Sequence, residues 1–184
     1  MKLLKENMLS DEMPLLRGEK VLLRPFTEAD IDDRYIAWLN DPVVVRLSNQ
    51  RFRTHDRESS LRYLLSFSGT ANFFLSVRAL SDDRQIGTLT AYVSQHHGTV
   101  DVGIMIGDKS VWGQGYGQDA WNTLTNWLLG QKGVRKLTAG TTSANHGMIK
   151  LMERSGMTLE AVRKDHEIVD GVPVDILYYA KFRQ

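Results

Sequence analysis

The chain is 184 residues long, with 42% hydrophobic and 24% charged side chains and a net charge of +1. That composition suits one soluble globular domain with a sizeable core, and the absence of any basic block argues against nucleic acid as the main partner. Cysteine is absent, which excludes disulfides and thiol nucleophiles, and no apolar run approaches the roughly 18 residues of a membrane span, so a cytoplasmic protein with no membrane partner is expected.

In residues 1–16, Leu3, Leu4, Leu15 and Leu16 are interrupted by Lys5, Glu6, Asp11 and Glu12, which reads as a lead-in to a single domain over 17–184. Residues 20–25 read as a strand stopped by Pro25. Thr27 is expected to cap a helix whose stripe is Ile31, Tyr35, Trp38 and Leu39, ended by Asn40-Asp41-Pro42. Residues 43–53 are irregular and carry Arg46, Asn49, Arg51 and Arg53. Those side chains either face solvent or hold a phosphate or carboxylate of a ligand. Thr54 is expected to cap a second helix that buries Leu61, Leu64 and Leu65.

Strands are predicted over 71–80, 85–94 and 99–106, the last with Val100, Val102, Ile104 and Ile106 on one side. A helix over 118–129 with the stripe Ala120, Leu124, Trp127 and Leu128 follows, then a short strand over 134–141 and a helix over 145–155. Residues 157–169 and 172–182 form a terminal hairpin about Asp170-Gly171. Strands that return on one another with helices packed against them make an α+β domain.

Between the 99–106 strand and the helix after it lies Trp112-Gly113-Gln114-Gly115-Tyr116-Gly117-Gln118-Asp119-Ala120. Glycine lets an anion approach the backbone, and a helix start offers unpaired N–H groups and partial positive charge. Strand, glycine turn and helix N-terminus together suit a phosphate or pyrophosphate. The third glycine comes too early for a dinucleotide fingerprint, and no Gly-Lys-Ser/Thr ending marks a P-loop. A turn that serves packing alone is the plainer alternative.

Taken in order, Leu23-Arg24-Pro25, Trp38-Leu39-Asn40-Asp41-Pro42, Gln85-Ile86-Gly87, Asp101-Val102-Gly103, the 112–120 turn, and Asn145 leading to Glu153-Arg154-Ser155-Gly156-Met157 resemble the GNAT superfamily of N-acetyltransferases, RimJ/RimL-like branch. The resemblance covers nearly all of residues 17–182. It implies a central, mixed but mostly antiparallel twisted sheet of about seven strands with about four helices. It also implies acetyl-CoA as cosubstrate, held where two central strands splay apart. By resemblance, backbone groups of Ile104 and Ile106 pair with the pantetheine arm. The N–H groups of Gly113, Gln114, Gly115, Tyr116, Gly117 and Gln118 surround the pyrophosphate, and Asn145 bonds near the acetyl end. Trp112 stands in a slot where the family usually has Gln or Arg, and Met152 stands where many members carry an acid tyrosine.

The reaction so implied is acetyl transfer to a primary amine by direct attack in a ternary complex. An amine must be neutral to attack a thioester, so a base is useful. Asp101 is the expected base, with an exposed strand carboxylate as its plainer reading. The Ile104 N–H is the expected oxyanion donor, and Ser143, His146 or water could replace the missing tyrosine. The expected acceptor is a small amine such as an amino sugar. A protein N-terminus, or a non-catalytic acetyl-CoA-binding module, is the alternative. No metal is expected: His96 and His97 are neighbours that a strand would face apart, and His55 and His166 lack ligand spacing. A homodimer through a chain-terminal edge strand is left open.

Overall fold

The computed structural model describes residues 13–184, so most of the expected lead-in lies outside the described residues. The sheet begins earlier than read, at β1 (Leu16–Arg17), and Met13 and Leu16 are already buried in the core. β1 turns through Gly18 into β2 (Val21–Pro25). β1 is the additional strand that brings the sheet to eight among the described residues.

The helix expected from Thr27 is divided. A single 3-10 turn, Glu28–Asp30, is followed by α1 (Asp33–Asn40), which is capped by Asp32 accepting from the Tyr35 N–H at 2.9 Å. The break has a cause in Asp30, whose carboxylate is drawn inward to Arg24 and away from the helix line. α2 (Arg57–Leu65) starts later than read, because Asp56, not Thr54, accepts the Ser59 N–H at 2.7 Å. Leu61 and Leu64 pack inward as expected, whereas Leu65 is 58% exposed. The rest follows the predicted order: β3 (Phe73–Ala79), β4 (Gln85–Ser94), β5 (Thr99–Ile106), α3 (Tyr116–Gly130), β6 (Lys136–Thr142), α4 (His146–Arg154), β7 (Thr158–Val169) and β8 (Val172–Phe182).

The strands lie in the order β1-β2-β3-β4-β5-β6-β8-β7, and only β5 and β6 run parallel. Two apolar layers cover the sheet. On one face, Val100, Val102 and Leu137 pack with Ala120, Trp121, Leu124 and Leu128 of α3 and Met152 of α4. On the other, Phe26, Ile31, Tyr35, Leu39 and Phe74 form a smaller core with α1 and α2. Trp121, absent from the predicted stripe, is fully buried and donates to the Ser155 hydroxyl at 3.1 Å. Trp38 lies flat against Gly107, where a Cβ would come 2.1 Å from the ring, so α1 is seated directly on the end of β5.

Candidate active site

The site is built where β5 and β6 part. Their registered pairs run from Thr99–Lys136 to Asp101–Thr138 and then stop. Beyond that point β5 stays with β4 as far as Gly87–Ile106, while β6 stays with β8 as far as Thr142–Ile176. Each strand is held by its antiparallel neighbour, and the sheet twist carries the two apart. Residues 102–106 therefore face a gap on the β6 side.

Two adjoining clefts open along this gap. One, of about 370 Å³, lies between the strands and is lined by Val102, Gly103, Gly140, Thr142, Glu167 and Tyr178 among others. The second, of about 340 Å³, lies on the α1–α2 face and is lined by Tyr35, Ser48, Gln50, Tyr63, Thr88 and Thr90 among others. Gly103, Ile104 and Asn145 belong to both walls. The second cleft carries no charged side chain in its lining among the described residues. Burial raises the Tyr35 hydroxyl above the ordinary phenol value. Burial, and then the 2.8 Å contact with the Tyr92 hydroxyl, raise that of Tyr63, so both remain protonated.

At the mouth of the gap the 112–118 turn takes the form its glycines allow. Gly113 and Gly115 have φ of 73° and 85°, the left-handed region that side chains avoid. Gly115 caps α3 without a side-chain oxygen, and the N–H groups of Gly115, Tyr116, Gly117 and Gln118 have no acceptor among the described residues. Four adjacent free donors at a helix start suit an anion. One of the expected donors differs: the Gln114 N–H is directed to the Val111 carbonyl at 3.3 Å, whereas the Gly113 N–H also has no acceptor among the described residues. The Trp112 indole donates to the Ile106 carbonyl at 2.8 Å, so part of the backbone expected to pair with a ligand arm is already engaged.

Asn145 caps α4 by accepting the Met148 N–H at 3.1 Å, and its Nδ2 has no partner among the described residues. A residue read as a ligand contact is thus also a helix cap, and the cap fixes the orientation of its free amide. Thr142 Oγ1 is buried in the same wall without a hydrogen-bond partner. Met152 is fully buried in the α3 layer and lines neither cleft; the α4 side chain that does is Met148, one turn earlier. Ser143 is tied to β8 on both sides, donating its N–H to the Asp175 carbonyl at 2.8 Å and accepting the Asp175 N–H on its hydroxyl at 3.2 Å. His146 is exposed at the start of α4.

Asp101 is not brought into either wall. It sits in the last registered β5–β6 pair, where its carboxylate accepts the Thr138 hydroxyl at 2.7 Å. Desolvation by the flanking strands raises its carboxyl, and the Thr138 hydrogen bond opposes that rise. The carboxylate that lines a wall is Glu167. Its position depends on an irregularity: β7 leaves register with β8 between Arg163 and Glu167, and Asp165 there has φ of 47°. Asp175 holds this bulge, accepting from Lys164 Nζ at 2.7 Å and the Asp165 N–H at 3.0 Å. Pairing resumes at Glu167–Val174, with the Glu167 carboxylate accepting from Asn49 Nδ2 at 3.2 Å. A bulge re-aims the side chains beyond it, and strict alternation along 157–169 gave no sign of this.

The irregular 43–53 segment closes over this region. Arg46 pairs with Asp170 at 2.5 Å, Asn49 reaches Glu167, and Arg51 donates to the Ile168 carbonyl at 3.0 Å. Three of the side chains offered for a ligand anion are therefore attached to the terminal hairpin. Arg53 donates its N–H to the Gln50 carbonyl at 3.0 Å, and its guanidinium has no partner among the described residues. No group of three or more His, Asp or Glu side chains placed to hold a metal occurs among the described residues.

Comparison with known proteins gives a consistent result. A family model described as an acetyltransferase (GNAT) domain matches residues 20–158. An uncharacterized N-acetyltransferase, p20, of Bacillus licheniformis is 24% identical over 177 residues, covering 94% of this chain and 98% of the relative. Among solved structures, the ribosomal-protein-S5-alanine acetyltransferase of Vibrio fischeri superposes with a TM-score of 0.79 at 17% identity, covering 94% of this chain and 98% of that one. The spermidine N-acetyltransferase of Vibrio cholerae, in complex with CoA and spermine, gives 0.79 at 14% identity over 90% and 97% of the two chains.

Proposed function

The chain belongs to the GNAT acetyltransferase family, and from that premise we propose that it acetylates a small, hydroxyl-bearing primary amine of the amino-sugar type. Acetyl-CoA is the donor, and the amine attacks directly in a ternary complex. The observation that carries this reading is the meeting of two clefts that share Leu47, Ser48, Gly103, Ile104 and Asn145. The thioester enters along the β5–β6 gap, with its pyrophosphate on the free N–H groups of 115–118, its pantetheine beside Ile104 and Ile106, and Trp112 at the edge of the turn. The amine enters from the α1–α2 face. The groups that such a ligand would satisfy are Asn145 Nδ2 and Thr142 Oγ1.

The amine nitrogen forms a bond to the thioester carbon, and the carbonyl oxygen takes up negative charge beside the Ile104 N–H. Glu167, the carboxylate in the wall, accepts the proton that the amine must lose. Collapse of the intermediate breaks the carbon–sulfur bond and releases CoA thiolate. A thiol with a pKa of about 8.5 is a workable leaving group near neutrality, so water suffices to protonate it and the apolar Met152 is no obstacle. Asp101, one pair below the gap, is tested beside Glu167 as the alternative base.

The uncharged lining of the second cleft bears on the acceptor. Tyrosine, serine, threonine and glutamine side chains match a neutral hydroxylated body, whereas the further ammonium groups of a polyamine would be buried there without a carboxylate. Free-thiol release from acetyl-CoA should therefore be fastest with amino sugars in a panel that also holds nucleotide-linked amino sugars, polyamines, aminoglycosides and peptides. Release confined to polyamines or peptides would contradict the acceptor class. CoA binding without release for any amine would point to a binding module.

A further inference from the structure

We infer that Lys20 is a binding residue for the pyrophosphate of the cosubstrate, and that Asp119 positions it; this rests on the acetyl-CoA reading above. The turn between β1 and β2 lies against the first turn of α3. There the Asp119 carboxylate accepts three successive N–H groups, those of Glu19 at 3.1 Å, Lys20 at 2.8 Å and Val21 at 3.1 Å. Gly18 makes this approach possible, since a Cβ there would come 2.5 Å from Asp119 Oδ2 and 2.6 Å from Thr123 Oγ1. The Lys20 backbone is thereby fixed to the helix that bears the anion site.

From that anchor the ammonium extends back over the glycine turn. It donates to the Gln114 carbonyl at 2.9 Å, stands 5.5 Å from the centre of the Tyr116 ring, and is 3.9 Å from where a Cβ of Gly115 would be. Its contacts among the described residues are a neutral carbonyl and a ring face, with no carboxylate paired to it there. The free N–H groups of 115–118 begin at that same glycine. A phosphate seated on them lies within a swing of the lysine side chain. The swing would exchange a neutral acceptor for a charge-assisted one. Asp119 would repel the same phosphate if its oxygens faced it, but both accept from the 19–21 backbone, which disperses their charge away from the turn.

The test is calorimetric titration of the full chain, as wild type, Lys20→Met and Lys20→Arg, with CoA, 3′-dephospho-CoA and pantetheine. Lys20→Met should weaken CoA and 3′-dephospho-CoA alike, by about tenfold, as expected for one charge-assisted contact in a partly exposed site. Pantetheine, which lacks every phosphate, should bind all three proteins equally, and Lys20→Arg should restore most of the loss. Unchanged CoA affinity in Lys20→Met would overturn the assignment. So would an equal loss with pantetheine, which would mark a structural role, or a loss seen with CoA but not with 3′-dephospho-CoA, which would move the contact to the 3′-phosphate. A wild-type chain that binds pantetheine and CoA equally weakly would overturn the cosubstrate reading itself, and the Lys20 assignment with it.

Discussion

Two polar regions of this molecule are built on opposite terms. Around Asp30 every donor and acceptor is matched: the buried carboxylate takes two bonds from Arg24 at 2.6 and 2.8 Å, the Thr27 N–H at 2.8 Å and the Thr27 hydroxyl at 2.9 Å. Burial alone would raise its carboxyl, but these partners outweigh that and hold it below the ordinary carboxylate range. Along the β5–β6 gap, by contrast, N–H groups, an amide and a buried hydroxyl have no partners among the described residues. The difference teaches that chemistry belongs to the region whose hydrogen bonds a ligand must complete, and stability to the region already complete.

That contrast can be broken by moving one residue at a time. Gly115→Asp should have the largest effect: it forces a side chain into φ of 85° and adds a negative charge among the free N–H groups. CoA binding in a direct titration should fall below detection, with the thermal transition lowered by only the few degrees that backbone strain at one residue costs. Glu167→Gln should come next, lowering turnover by roughly 10²–10⁴ with CoA affinity retained, as loss of a general base requires.

Asp30→Asn should act in the opposite sense on the two readouts. Breaking a buried ion pair costs about 3 kcal/mol, so chemical denaturation should show a clear loss of stability while turnover of the folded fraction persists. The pH dependence has a definite sign. Because the folded carboxyl lies below its unfolded value of about 3.9, its contribution is present above that value and disappears as pH falls through the folded one. The variant should lose that part of the acid limb. Asp101→Asn should change least, since the residue lines neither cleft and has one hydroxyl partner. A fall in turnover equal to that of Glu167→Gln would restore Asp101 as the base.

Much of this arrangement is legible before any coordinates. The Asp170-Gly171 turn is visible as a dipeptide, and both residues take positive φ, 52° and 79°. The glycine turn is legible as closely spaced glycines, and two of them, 113 and 115, take φ of 73° and 85°, which glycine adopts most readily. Glu167 is not legible in the same way. A two-residue period along β7 treats Lys164, Asp165 and His166 as ordinary strand, and the bulge that they form is set by Asp175 on the neighbouring strand, a contact made at long range. The same holds for Lys20, an unremarkable basic residue until Asp119, 99 positions away, takes hold of its N–H. Helix starts differ from the expected ones for a related reason: Thr27 caps only the 3-10 turn, while the carboxylates of Asp32 and Asp56 take the first N–H groups of α1 and α2.

The most direct test of the central claim, that acetyl transfer takes place where β5 and β6 part with Glu167 as the base, is the pH dependence of kcat/KM. It is measured on the best acceptor from the amine panel, for wild type, Asp101→Asn and Glu167→Gln. The account predicts that Asp101→Asn keeps the wild-type profile, while Glu167→Gln lowers kcat/KM by roughly 10²–10⁴ throughout it, as loss of a general base requires. A wild-type profile in Glu167→Gln, or its loss in Asp101→Asn alone, would contradict it.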